Sequence, residues 1–223
     1  MNILDLGIIQ ITSQLTPEHD RYKLLCNDCI PSCVASSSNY VLVGPPNKEL
    51  EEETVKLGGK YSNYLAWEKD MSRKWRQGIK LISNEWVGFF ADDVYPDKDW
   101  FESMSSFLSD KKPGQYGFRL TSKDDKRHQF GEDWMQFPNK RLMLQHRPLK
   151  YDVETGWIED SPTAYVANCV VHRDVLKDVE PFGLFGKAPD VMWSLAIREC
   201  GYEIGFNPLA RAYHVGNRRD NRE

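Results

Sequence analysis

The sequence predicts an α/β protein: a doubly wound, mostly parallel central sheet with helices on both faces and a looser second half. Two observations predict it. Short apolar, β-branched runs alternate with segments of helical periodicity from residue 6 to about residue 100, and that order calls for a parallel sheet with crossover helices. Beyond Pro113 the pattern loosens and the segments become polar, basic and aromatic.

Each element has its own warrant. Residues 6–12, "LGIIQIT", are a continuous apolar run, as a strand buried on both faces requires. Residues 18–35 read as a helix, entered or interrupted at Pro31. The run "YVLV" at 40–43 is a second strand, stopped by Gly44-Pro45-Pro46. Residues 49–56 suit a short helix. Residues 68–83 place Met71, Trp75, Ile79 and Ile82 three or four apart, the spacing of one helix face. Residues 86–90 form a third strand, and a helix over 98–109 follows. In the second half, 116–121 and 164–171 read as strands. "HRDVLKDVEPFG" reads as a short helix and turn, and "PDVMWSLAIRECGY" as a helix ended by Gly201. "EIGFNP" and "ARAYHVG" are short extended pieces, and "NRRDNRE" is a frayed tail.

Composition excludes some classes. The chain has 223 residues, 40% hydrophobic and 28% charged, which suits a single globular domain with a substantial core. No apolar run approaches the roughly 20 residues of a membrane span. Residues 1–5 carry no basic flank before an apolar core, so the expectation is a cytoplasmic protein. The five cysteines include Cys26, Cys29 and Cys33, spaced as C-x2-C-x3-C. A metal site would need a fourth clustered ligand, and the same spacing is one helix face, so buried free thiols are expected. Residues 111–150 hold ten Lys or Arg and four Asp or Glu, a balance of +6 in a chain whose formal charge is −4. That segment is either a solvated surface or a face for an anionic partner.

The most informative stretch is "WVGFFADDVYPDKDW", where the third strand runs directly into Asp92 and Asp93. Asp is a common turn residue. Ligands of open α/β sheets, however, bind at the carboxyl ends of the strands, and two carboxylates there can hold a hard divalent cation.

Taken in order, these pieces resemble glycosyltransferases of the GT-A fold, similar to the family 2 type. The resemblance runs from the first strand to about Gly216. It rests on "FFADDVYPDKDWFESM", on "SRKWRQGI" upstream, and on "ANCVVHRDVLKDVEPFGLFGKAPDVMWSLAIRECGYEIGFNPLARAYHVG" downstream. The chain departs from that family in three places. Ala91 stands where an Asp often opens the motif, Pro189-Asp190 replaces Glu-Asp, and Gly44-Pro45-Pro46 replaces the Asp after the second strand.

The resemblance implies one domain over 1–223, with residues 1–110 binding a nucleotide-sugar and 111–223 binding the acceptor. It implies a metal-dependent, inverting transfer of a sugar from a nucleotide-diphosphate donor, first of all a UDP-sugar, to an acceptor hydroxyl. Asp93 is the expected primary ligand of Mn²⁺ or Mg²⁺, and His214 completes the coordination unless it is a plain surface histidine. Asp92 is assigned to the ribose, the sugar or the metal's water shell. Asp190 is the expected general base, a role compatible with capping the helix it opens. Arg73 and Lys74 would approach the nucleotide, unless they are a solvated helix face. Thr12, Gly44 and Pro45 would line the base and ribose pocket by the switch-point rule. Trp134 and Trp157 are either core or acceptor contacts. Acceptors range over glycans, small molecules and, given the basic segment, hydroxymethylated bases of DNA. From other classes, a nucleotidyltransferase lacks its Gly-rich basic loop in "QITSQLTPEHD", and a non-catalytic carbohydrate- or nucleic-acid-binding module has no need of Asp93, Asp190 and His214 together.

Overall fold

A computed structural model describes residues 4–13, 16–64, 71–121, 128–129, 132–136, 142–146, 168–181 and 189–215. Its first half alternates as expected. Strand β1 (Leu6–Ile11) is followed by helix α1 (Asp20–Leu24), a π turn at Leu25–Cys29 and helix α2 (Ile30–Ala35). These three run on as one helical stretch. Pro31 has no N–H to give and its ring crowds the preceding turn. The wider π turn just ahead of it accommodates both, so the chain passes the proline without breaking. Strand β2 (Asn39–Gly44), helix α3 (Lys48–Lys56), strand β3 (Lys60–Asn63), helix α4 (Met71–Ile79) and strand β4 (Trp86–Ala91) complete this half. Asn47 caps α3 by accepting a bond from the Leu50 amide.

Strand β5 (Val94–Pro96), helix α5 (Trp100–Leu108) and strand β6 (Gly114–Thr121) come next. Short strands β7 (His128–Gln129), β8 (Glu132–Gln136) and β9 (Leu142–His146) follow, then β10 (Asn168–His172), α6 (Arg173–Asp178), α7 (Pro189–Glu199) and β11 (Glu203–His214). Among the described residues β8 pairs with β9 alone. The expected strand at 164–171 is seen from Asn168 onward. Its first residues, those at 68–70 of the expected helix, Trp157, Lys140, Arg141 and the "NRRDNRE" tail lie outside the described residues, as do the side chains of the 122–150 segment, including Trp134.

The main sheet has the order β3-β2-β1-β4-β10-β6-β11-β5, with β7 on β6. From β3 to β4 every pairing is parallel. The chain builds outward from β1 to β2 and β3, then returns to lay β4 on the other side of β1. β1 and β4 therefore flank the reversal point. Antiparallel β10 joins this half to the parallel pair β6 and β11.

Six elements depart from the sequence reading, among them β7, β8 and β9, which lie where only a polar, basic and aromatic segment was read. β3, "KYSN", is a polar edge strand without apolar periodicity. β5 is three residues long, too short for any periodicity to register. β11 is one strand where two pieces were expected, because its pairing with β6 shifts register between Asn207 and Arg211. Asn207 fills that irregularity. Its carbonyl accepts from the Leu209 and Ala210 amides while its amide donates to the Ser103 carbonyl.

Two apolar layers cover the sheet. On one face Leu6, Ile8, Leu42 and Phe90 pack on the first helical stretch, α3 and α5 through Leu25, Ile30, Leu50 and Trp100. On the other, Ile9, Ile11, Val43 and Phe89 pack on α4, α6 and α7 through Trp75, Val175 and Trp193. The edge of Phe89 meets both Trp75 and Trp193. Cys29 and Cys33 are buried and Cys26 half-buried, all three as free thiols on the helical stretch. Among the described residues no helix is long and apolar enough to cross a membrane.

One polar side chain sits in the middle of the first layer. Gln10 is fully buried on β1. Its amide donates to the Ala91 carbonyl at 2.8 Å and the Val94 carbonyl at 3.0 Å, the two ends of the turn that carries Asp92 and Asp93. The Tyr40 hydroxyl donates to the Gln10 carbonyl at 2.7 Å. Replacing Tyr40 by Phe leaves that carbonyl buried and unpaired, so Tyr40→Phe should lower stability by about 1–3 kcal/mol. Urea denaturation of the two proteins measures it, and an unchanged midpoint would show that the hydroxyl contributes nothing to the clamp.

Candidate active site

The site is assembled at the carboxyl ends of β1, β2 and β4. In the sheet register Ile11 lies opposite both Val43 and Ala91. The next residue of each strand end is thus Thr12, Gly44 or Asp92, and the three meet. The Thr12 hydroxyl donates to Asp92 Oδ2 at 3.0 Å, and the Ser13 amide reaches the same oxygen at 3.3 Å. The Thr12 amide bonds to the Val43 carbonyl. Gly44 is needed where it stands. A Cβ there would lie 2.5 Å from the Thr12 methyl and 2.9 Å from the Tyr61 hydroxyl. That hydroxyl donates to the Pro45 carbonyl at 2.6 Å, fixing the turn after β2.

Lys74, on α4, is 3% exposed and its ammonium donates to the Thr12 carbonyl at 2.6 Å. The neighbouring Arg73 points outward and is exposed. The helix therefore presents one of the two basic residues to the strand ends, as its 3.6-residue period demands.

Asp92 and Asp93 are nearly buried, with side chains 8% and 10% exposed. The β11 strand brings His214 to them. His214 pairs with Val94 on β5, and the Val215 amide donates to the Asp93 carbonyl at 2.9 Å. The imidazole Nε2 then stands 3.6 Å from Asp93 Oδ2, an electrostatic neighbour at a length beyond a good hydrogen bond. Below the turn, the Cys29 thiol contacts the Asp92 carbonyl at 3.6 Å.

A residue that the sequence reading did not single out completes the cluster. Arg21, in the first turn of α1, places Nη1 3.2 Å from Asp92 Oδ1 and donates from Nη2 to Asp93 Oδ2 at 2.8 Å. Its one signal in the sequence was a basic residue in the helix that leaves the end of β1, and Lys23 two residues on carries the same signal.

The two carboxyls are driven apart in acidity. Burial raises the Asp92 carboxyl above its ordinary value, and the adjoining Asp93 charge adds to this. Arg21, Thr12 and the Ser13 amide offset the rise only in part. Burial also pushes Asp93 up, but His214 and Arg21 outweigh it and hold that carboxyl below its ordinary value. Asp93 is therefore the firmly charged member of the pair.

The donor set fits a divalent cation in part. Asp93 and His214 offer one carboxylate and one imidazole converging on the same space, a combination that suits Mn²⁺ or Mg²⁺. Asp92 has one oxygen engaged by Thr12 and Ser13. Among the described residues no group of three His, Cys, Asp or Glu closes a site by itself. Such an ion would take its remaining ligands from water and from the phosphates of a substrate, as Mg²⁺ sites commonly do. Asp190 is the second residue of α7, and its side chain lies outside the described residues.

No protein-family profile matches the sequence, and no curated protein is similar to it in sequence. Solved structures are similar in shape. One is GalNAc-T7 with UDP, GalNAc and Mn²⁺, at 11% identity and a TM-score of 0.63, over 96% of this chain and 44% of that one. Another is TarS of S. aureus, at 14% identity and 0.65, over 97% of this chain and 38% of that one. A third is S. aureus TarS 1-349 in complex with UDP-GlcNAc, at 13% identity and 0.66, over 96% of this chain and 59% of that one. The chain thus spans between 38% and 59% of the length of these structures. At such identities the likeness is one of fold, and the fold it establishes is the GT-A fold of glycosyltransferases.

Proposed function

We propose that the chain is a glycosyltransferase that moves a sugar from a nucleotide-diphosphate donor, first of all a UDP-sugar, to an acceptor hydroxyl with inversion. One observation carries the reading. The reversal point of the sheet, where such folds bind ligands, holds a buried Asp pair to which His214 is delivered from the far end of the chain. That the similar structures were solved with UDP and Mn²⁺ or with UDP-GlcNAc supports it.

The residues divide the work. Thr12, Gly44 and Pro45 form the floor on which the nucleoside rests. Lys74 supplies a fixed positive charge beneath it, and Arg73 lies farther out on the same helix. Asp93 and His214 are the ligands for Mn²⁺ or Mg²⁺, which when bound neutralises charge on the departing diphosphate. Asp92, held by Thr12 and Ser13, faces the ribose or the sugar. Asp190, at the start of α7, takes the proton of the attacking hydroxyl. In this reading residues 1–110 bind the donor and 111–223 the acceptor.

Three outcomes follow. Asp93→Ala should lose on the order of a hundredfold or more in kcat/KM in Mn²⁺, since charge neutralisation of this kind contributes several kcal/mol. In EDTA it should match wild type. Wild-type turnover that ignores EDTA would overturn the metal assignment. Asp190→Asn keeps the size and the helix-capping oxygen but not the basicity, so kcat should fall by about 10²–10⁴ at unchanged donor affinity. An ordinary kcat would leave Asp190 as a helix cap.

The acceptor question turns on charge. The +6 balance of residues 111–150, against −10 in the rest of the chain, is either a solvated surface or a face that allows, as the alternative acceptor, an anionic polymer such as DNA with hydroxymethylated bases. Such a base would have to leave the duplex to react. Log affinity for that acceptor should fall with log salt at a slope of about −0.9 per phosphate contacted. Replacing Lys140 and Arg141 by Ala should flatten the slope by up to about two units. A salt-independent turnover would instead select a neutral glycan or small molecule.

A further inference from the structure

Two buried carboxylates side by side repel one another and lose hydration, so a cation must balance them. Here the chain supplies its own. The Arg21 guanidinium spans both carboxylates, and its shorter contact is to Asp93 Oδ2, the oxygen that also faces His214. Arg21 and His214 thus contact the same carboxylate oxygen of Asp93, and a metal ion held by Asp93 and His214 would compete with the guanidinium for it. Arg21 is itself 23% exposed. It stands in the first turn of the helical stretch, at its open end, so its long side chain has room to leave toward solvent.

We propose that Arg21 is a resident counter-cation of the Asp pair which a divalent metal ion displaces from Asp93. This rests on the assignment of Asp93 and His214 as metal ligands. The consequence is competitive: the free protein binds metal more weakly than its two ligands alone would allow. The displaced guanidinium, released beside the phosphate-binding end of the sheet, becomes a donor for the substrate diphosphate, to which its planar fork is suited.

The test is a Mn²⁺ titration of metal-free protein without donor, followed by the electron-paramagnetic signal of free Mn²⁺. Arg21→Gln removes the competing charge and should bind Mn²⁺ about tenfold more tightly than wild type, with Arg21→Lys in between. Equal or weaker binding by Arg21→Gln would overturn the displacement. A second readout needs no variant stability beyond that used for assignment. The Arg21 Nε–H resonance, identified by its loss in Arg21→Lys, should shift as Mg²⁺ is added to wild-type protein, and an unmoved resonance at saturation also overturns the proposal. Failure of the underlying reading looks different. In that case neither wild type nor Arg21→Gln takes up Mn²⁺, or Asp93→Asn retains it in full.

Discussion

The candidate site depends on one buried amide. Gln10 sits on β1, fully buried among apolar side chains, and it ties both ends of the Asp92-Asp93 turn to that strand. A turn at the end of a strand is ordinarily mobile relative to the sheet. This one is fastened at its entry and its exit by the same side chain, and Tyr40 satisfies the remaining polar atom of that side chain. Because β1 and β2 also place Thr12 and Gly44, one hydrogen-bonded unit sets the relative positions of the three strand ends.

The same rigidity explains the electrostatics. With the turn fixed, Asp92 and Asp93 cannot move apart, and their charges must be met by groups brought to them. Three elements deliver these groups: the Thr12-Ser13 end of β1, Arg21 on α1 and His214 on β11. Lys74 donates to the Thr12 carbonyl and so supports the floor of the site, while Arg21 and His214 stand against the carboxylates themselves. The pair is thereby made unequal, with Asp92 harder to ionise and Asp93 easier. A pair tuned in this way suits one ligand to a cation and one acceptor of hydrogen bonds.

Much of the first half of the fold was legible in the sequence. Runs such as "LGIIQI" and "WVGFFA" announce buried parallel strands because both faces must be apolar. The Asp pair was visible because charge directly after such a run has no packing reason. Thr12, Lys74, Asp93 and His214, all named from the sequence, lie around the same strand ends. The edge strands β3 and β5 were not legible, since pairing to a neighbour, and not side-chain periodicity, makes them strands. The irregular β11 read as two pieces for the same reason: its continuity lies in the β6 ladder, and its own pattern is broken at Asn207.

What the sequence by itself determined is the layering of the apolar elements: that the apolar runs are buried strands, which helices cover them, and that a carboxylate pair ends β4. Those follow from local periodicity and from the requirement that apolar faces be buried. Only the tertiary structure decided the roles of Gln10, Tyr40 and Arg21. Each is an ordinary residue in its own segment, and each acts on the turn at Asp92-Asp93 from a distance along the chain that no local pattern encodes. A buried hydrogen bond or ion pair is a property of two positions, and its second position is known only once the sheet order and register are set.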